Sequence, residues 1–270
     1  MSNHNERCLS LVYLDRFKIK NKSEGLSEPS GLALAHEQNA LWTISDDTKK
    51  VFKLNLEGDM KKGDSFDLPD KGLEGITVDP TGTCVITVKE ESNEIIKIDV
   101  DTRMVIQRQG LTKMAGYDAI ASYFSDAANK GLEGITWNDA TGTIFVLKEG
   151  NPGLLIELSS DLETIQGYQL LNEENGFCDL DVDPEDIDFS GLCYDQCRDC
   201  LWIISDKAQR YFLYDWTKHV VVQSAKLTYS KKGRERDIEK AEGVAIAPSG
   251  DRLYVVSDEE VRLYVFEIRG

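Results

Sequence analysis

The chain has 270 residues, with 31 Lys+Arg against 48 Asp+Glu, a formal charge of −17 and a sequence pI near 4.6. With 41% hydrophobic and 29% charged residues it is too apolar for a disordered chain and long enough to bury a large core. So acidic a surface does not suit a phosphate backbone, so nucleic acid is not an expected partner, whereas divalent cations and basic ligands suit it well.

Residues 1–15 lack a basic region followed by an apolar run, and no stretch approaches 18 consecutive apolar residues. The expectation is a cytoplasmic protein with no membrane segment, built as a short tail (1–8) and a single domain (9–270). Residues 9–20, LSLVYLDRFKIK, form the first expected strand.

Next come five copies of one pattern, which decides the fold class. With Gly31, Gly75, Gly134, Gly191 and Gly243 as position zero, the segments SGLALAHEQNALWTISD, EGITVDPTGTCVITVKE, EGITWNDATGTIFVLKE, SGLCYDQCRDCLWIISD and EGVAIAPSGDRLYVVSD align without a gap. Each holds a β-type run, a polar turn, a second β-type run and an acid at position +15: Asp46, Glu90, Glu149, Asp206 and Asp258. A third apolar run follows at 51–56, 95–100, 154–158, 211–216 and 261–268, and a fourth is clearest at 104–107 and 220–222. Four antiparallel strands per repeat, with almost no helical periodicity, predict an all-β five-bladed β-propeller. The fifth repeat lacks a fourth strand, and the N-terminal strand is expected to complete it and close the ring. Residues 117–130, rich in alanine, are expected to hold a short helix between the second and third blades.

In such a blade the start of the first strand and the end of the second lie at the same mouth of the central channel. Before the glycine stand Glu74, Glu133 and Glu242, and in the other two repeats Glu28 and Asp188 lie three residues ahead of it. Ten carboxylates thus meet at one rim, where they would raise one another's pKa values and oppose folding unless compensated. If +4 pairs with +9, position −1 faces +14, which predicts cross-strand ion pairs Glu74–Lys89 and Glu133–Lys148. Two readings follow. The acids can be latches and solvated rim charges. Alternatively Glu28, Glu74, Glu133, Asp188 and Glu242 hold a divalent cation, with Ca²⁺ favoured by all-oxygen ligation. Asp46, Lys89, Glu90, Lys148, Glu149, Asp206 and Asp258 would then face a small or basic ligand.

Two further stretches flank the fourth blade. The acidic run Asp179-Leu-Asp-Val-Asp-Pro-Glu-Asp-Ile-Asp188 lacks the glycine and closing glutamate of an EF-hand loop, and a basic run, Lys231-Lys-Gly-Arg-Glu-Arg236, is expected to neutralise it across the entrance. Cys193, Cys197 and Cys200 form a loose C-x3-C-x2-C cluster that reads as reduced strand cysteines more readily than as a zinc site. The histidines are His4, His36 and His219, none at the acidic mouth in this register, so neither a Ser-His-Asp triad nor a His-ligated zinc is expected. Any chemistry would use a metal-bound water with a carboxylate base.

The ordered set Gly72-Leu-Glu-Gly-Ile-Thr77, Gly131-Leu-Glu-Gly-Ile-Thr136 with Val146-Leu-Lys-Glu149, Asp188-Phe-Ser-Gly-Leu192 with Leu201-Trp-Ile-Ile-Ser-Asp206, and Ala241-Glu-Gly-Val244 with Val256-Ser-Asp258 resembles the SdiA-regulated β-propellers, a largely bacterial group. That resemblance covers nearly the whole chain and implies a propeller with bound calcium in some members and no settled activity. More distantly the chain is similar to propeller hydrolases, including calcium-dependent lactonases and phytase relatives. Two functions are therefore expected: a calcium-binding ligand or interaction module, or a metal-dependent hydrolase of lactones, esters or phosphoesters at the same mouth.

Overall fold

The computed structural model describes residues 8–60, 63–125 and 130–270. Strand β1 (Ser10–Lys18) opens the chain. Blade one holds β2 (Pro29–Leu34), β3 (Ala40–Ser45), β4 (Lys50–Asn55) and β5 (Phe66–Asp67), and blade two β6 (Leu73–Val78), β7 (Cys84–Lys89), β8 (Glu94–Asp99) and β9 (Val105–Gly110). Blade three follows with β10 (Leu132–Asn138), β11 (Thr143–Lys148), β12 (Leu154–Leu158) and β13 (Ile165–Leu170), and blade four with β14 (Gly191–Asp195), β15 (Cys200–Ser205), β16 (Arg210–Asp215) and β17 (Val220–Lys226). A two-stranded hairpin, β18 (Thr228–Lys231) and β19 (Arg234–Asp237), precedes β20 (Ala241–Ile246), β21 (Arg252–Ser257) and β22 (Arg262–Arg269). The sheet order β1-β22-β21-β20 shows the N-terminal strand completing blade five, antiparallel to β22. The expected five-bladed propeller is the observed one.

The expected short helix is replaced by 3-10 turns at Tyr117–Ala119 and Ala121–Phe124, and residues 126–129 lie outside the described residues, as does His4. Tyr117, Tyr123 and Phe124 pack on the core between blades two and three, so burial rather than helix propensity sets this segment.

The hairpins follow from their turns. At β6–β7 the Asp79 carboxylate accepts from the Thr81 and Cys84 backbone N–H groups, and Gly82 takes φ 72°, a conformation that costs glycine nothing. Aliphatic second and third strands then bury both their faces between neighbouring blades: Val85, Ile86, Val88, Ile95 and Ile98 are wholly buried in blade two.

The innermost strands ring the axis in the order β2, β6, β10, β14, β20 and back to β2. At position zero they nearly touch. A Cβ on Gly75 would lie 2.5 Å from the Glu133 carbonyl oxygen, and one on Gly243 2.6 Å from the Leu32 nitrogen. Only a residue without a side chain fits there. Next along the axis, Leu32, Ile76, Ile135, Leu192 and Val244 line a waist of about 10 Å³, no more than one water needs. The channel is therefore two separate ends, not a pore.

Candidate acidic site at one channel mouth

The hairpin register matches the one read from the repeats: Asn138 faces Thr143, four and nine residues after the glycine. Directly before the glycine it changes. The ladder pairs Leu132 with Lys148 and then Gly134 with Leu147, leaving Glu133 on a β-bulge. The same shift falls between Leu73 and Ile76 and between Ala241 and Gly243, so Glu74 and Glu242 are bulge residues too. A bulge re-aims a side chain that the pleat would have paired.

The expected ion pairs Glu74–Lys89 and Glu133–Lys148 therefore do not form. Lys89 lies opposite Leu73 and reaches Asp70 at 3.5 Å, away from the channel. Lys148 is 0% exposed; its Nζ donates to the carbonyls of Gly150 and Pro152 and lies 5.6 Å from the Phe124 ring centre. Neither lysine lines the mouth, and burial pulls the Lys148 amine down to about 8, with Lys130 adding to the fall. The signal that marks the bulge is an apolar residue at −2 in every repeat (Pro29, Leu73, Leu132, Phe189, Ala241), which takes the place opposite +14 in blades one, two, three and five.

The acids do gather at one rim. Glu133 is raised well above the usual carboxylate range by burial and then by the charges of Glu74, Glu90, Glu242 and Glu149. Burial likewise raises Glu242, where Asp206, Glu74 and Asp258 add to it, and pushes Glu74 to about 8, with Asp46 and Glu90 as neighbours. Asp206 rises to about 6 through burial and then Asp188. Glu28 is raised first by its hydrogen bond with Asp47 and then by burial. Like charges crowded into a low-dielectric corner hold protons or a cation.

Within this rim one carboxylate oxygen each from Glu90, Glu133 and Glu149 lie within 4.8 Å of one another, and the same holds for Glu28, Asp46 and Asp47. Oxygens bound to one Ca²⁺ at about 2.4 Å sit at most roughly 4.8 Å apart, so either triad fits a single calcium sphere. Asp188 is differently engaged: its Oδ1 accepts from the Ser205 hydroxyl and the Lys207 N–H, both at 2.9 Å, which fixes the turn after β15.

The sequence reading overlooked three contributors. Asp47 joins the blade-one triad, Lys130 binds Glu149 at 2.6 Å and Lys240 binds Asp258 at 2.9 Å. These two lysines stand on the linkers just ahead of the glycine in blades three and five, where the repeat comparison held no gap-free alignment. The two charged linkers do not neutralise each other. Asp179 pairs with Arg210, Asp181 with Lys226 at 3.7 Å and Asp186 with Lys207 at 3.7 Å, all cations of blade four and its flanking turn. All six cysteines are free, with Cys193 and Cys200 buried in strands. No helix among the described residues is long and apolar enough to cross a membrane.

The other channel mouth, which the sequence reading passed over, holds a cavity of about 320 Å³ lined by Leu34, Val78, Trp137, Tyr194 and Ile246 with His36 and Asp139. Inner strands are stapled there by neutral hydrogen bonds: Trp137 N–H to the Thr77 hydroxyl at 3.2 Å and Tyr194 N–H to the Thr136 hydroxyl at 2.9 Å.

Comparison with known proteins agrees with this architecture. The SdiA-regulated family profile matches residues 12–267. A crystal structure of Myxococcus xanthus glutaminyl cyclase is similar in fold, with a TM-score of 0.62 at 13% identity over 96% of this chain and 96% of that one.

Proposed function

Given that the chain belongs to the SdiA-regulated family and folds as a five-bladed β-propeller, we propose that it is a calcium-binding propeller module whose acidic rim presents the bound ion to a small or basic ligand. The observation that carries this reading is Glu133. It stands on a bulge at the rim, with Glu90 and Glu149 oxygens within 4.8 Å. The lysine at that spot, Lys130, is paired with Glu149. A divalent cation placed among these oxygens would relieve the mutual repulsion that raises Glu133. Glu90, Glu133 and Glu149 would hold it, with Glu74 and Glu242 as the next carboxylates across the axis.

Binding requires ionised carboxylates, so it displaces protons. Calcium affinity therefore rises with pH as the rim carboxylates ionise, through the values of about 6 for Asp206 and about 8 for Glu74. The test is thermal unfolding at pH 8 with calcium and with chelator. Calcium at about a hundredfold over its Kd raises Tm by roughly 5–10 °C, and Glu133→Gln abolishes the rise. No change in Tm on adding calcium or chelator would overturn the reading.

A second reading is supported by Glu74, whose carboxyl titrates near 8 and so can both give and take a proton at neutral pH. Here the rim is a metal-dependent hydrolase, or a proton-transfer enzyme of another kind; the similar fold of M. xanthus glutaminyl cyclase makes glutaminyl cyclisation worth including in a screen of lactones, esters and phosphoesters. Turnover that is lost in both Glu74→Gln and Glu133→Gln decides for the enzyme, and calcium binding without turnover decides for the module.

A further inference from the structure

The chain is strongly acidic, yet the outer edge of blade five carries a concentration of cations that nothing in the acidic rim uses. The hairpin β18–β19 turns through Lys232 and Gly233, with φ of 52° and 75°, the two positive values of a tight two-residue turn. Tyr229, 4% exposed, anchors it in the core together with Leu227 and Ile238. Arg16 of β1 clamps that anchor. Its guanidinium lies 4.9 Å from the centre of the Tyr229 ring, and its Nη1 donates to the Tyr229 hydroxyl at 3.0 Å.

Directly opposed residues of an antiparallel pair share a face. Tyr229 opposes Arg236 and Lys231 opposes Arg234, so these three cations lie on the face that Tyr229 presses against β1. On blade five, Lys18 opposes Arg262 and Arg16 opposes Tyr264, which puts Arg16, Lys18 and Arg262 on one face as well. The two faces meet at Arg16: Lys231 is lowered first by Arg16 and then by Arg236 and Arg262 among the charges around it. Glu260, 3.5 Å from Arg16, is the carboxylate set beside these cations among the described residues. Among the described residues, Lys18, Lys231, Arg234, Arg236 and Arg262 make no ion pair, while the acidic linker is spent on blade four.

We infer that the cationic surface shared by hairpin β18–β19 and the outer strands of blade five binds a multiply charged phosphate oxyanion, a diphosphate or the phosphate headgroup of an anionic lipid. Six cations against one carboxylate call for a ligand with more than one negative charge, and arginine forks suit phosphate oxygens. Arg16 is already fixed by Tyr229 and Glu260, and the hairpin arginines share the face that Tyr229 presses against β1. This site is independent of the acidic rim and stands or falls apart from it.

The probe is inorganic pyrophosphate, titrated calorimetrically into the full chain in calcium-free, low-salt buffer. Saturable binding is expected, weakening as salt rises. The exposed triple variant Lys231→Gln/Arg234→Gln/Arg236→Gln should lose about tenfold or more in affinity, the equivalent of one charge-assisted contact, with Tm unchanged. Glu133→Gln should leave it unaltered. A second arm sediments the protein with phosphatidylcholine vesicles containing phosphatidic acid, whose phosphate monoester can carry two negative charges. Co-sedimentation that pyrophosphate competes away assigns the lipid headgroup, and pyrophosphate binding without co-sedimentation assigns a free ligand. Absence of both, or full binding by the triple variant, overturns the inference. So does salt-sensitive dimerisation that the triple variant abolishes, since the cationic surface would then be covered by the acidic rim of a second copy.

Discussion

The two ends of the channel are cut from the same five inner strands and expose different offsets of the repeat. At the acidic end stand the bulged −1 residues and the +15 acids, Glu74, Glu133 and Glu242 among Glu90, Glu149 and Asp258. At the other end stand the +2 and +3 residues, held together by Thr77 and Thr136 accepting backbone N–H groups and faced with Trp137 and Tyr194. At one end the inner strands are joined by neutral hydrogen bonds and apolar contact, and burial raises Asp139 there with no like charge beside it among the described residues. The other crowds like charges together and depends on protons or a cation. Between them the glycine collar isolates the two chemistries. The difference teaches that a propeller's ring closure resides in its waist and far mouth, which leaves the acidic mouth free to carry unfavourable charge for a ligand.

The largest effect should come from the waist itself. A Cβ at Gly31 would run into the Glu74 carbonyl oxygen, backbone that cannot move without opening the ring. Gly31→Ala should destabilise by about 3 kcal/mol or more in denaturant unfolding. Gly150→Ala is the control on the same mouth: its nearest neighbour is the Lys130 Cδ at 3.6 Å, an ordinary contact, and the change should stay within about 1 kcal/mol. Equal effects would mean the blades are not pressed together at the collar.

A smaller pair of changes separates the ends by their pH dependence. For Glu74 the folded pKa is raised from 4.5 to about 8, so the fold binds more protons than the unfolded chain between those values. Its favourable contribution is whole below pH 4.5 and is lost as pH rises through 8. Glu74→Gln should then raise Tm by about 2–4 °C at pH 8 without calcium, an effect discounted for partial exposure, and leave it unchanged at pH 4.5. Thr136→Val strands the Tyr194 N–H and should cost about 1–3 kcal/mol equally at both pH values. A pH-dependent Thr136→Val, or a flat Glu74→Gln, would erase the contrast between the mouths.

Much of this was legible beforehand because repetition averages out local noise. Five aligned glycines located the collar, and an acid at +15 in all five repeats located the rim, without knowledge of any single side chain. The missing fourth strand of the last repeat pointed to β1, which does pair with β22. What failed was finer. Strict alternation placed Glu133 opposite Lys148, and one extra residue at the bulge moved the lysine from the rim to the blade interior. Alternation is a rule about regular strands, and the residues that leave the ladder are the ones that face the axis. The basic hairpin failed for another reason: its complement was sought in the nearest acidic run in sequence, whereas Arg210 of β16 had a prior claim on Asp179.

The smallest expected effect tests that correction at Lys148. Burial depresses its folded pKa from 10.5 to about 8, so the unfolded chain binds more protons across that interval. The charged amine opposes folding below pH 8, and stability rises with pH from about 8 to 10.5 as the amine becomes neutral in both states. Lys148→Met keeps the volume, removes the buried charge and leaves the Gly150 and Pro152 carbonyls without their donor. The two consequences oppose each other, so the net change at pH 7 should be within about 1 kcal/mol, with the slope between pH 8 and 10.5 flattened. The ammonium lies beneath Phe124 with carbonyls as its acceptors and acts on the rim only through the charge of Glu149, so the calcium midpoint should move by no more than about twofold. A tenfold shift in that midpoint would place the amine among the rim carboxylates after all, and with it would restore the Glu133–Lys148 pair that the bulge removes.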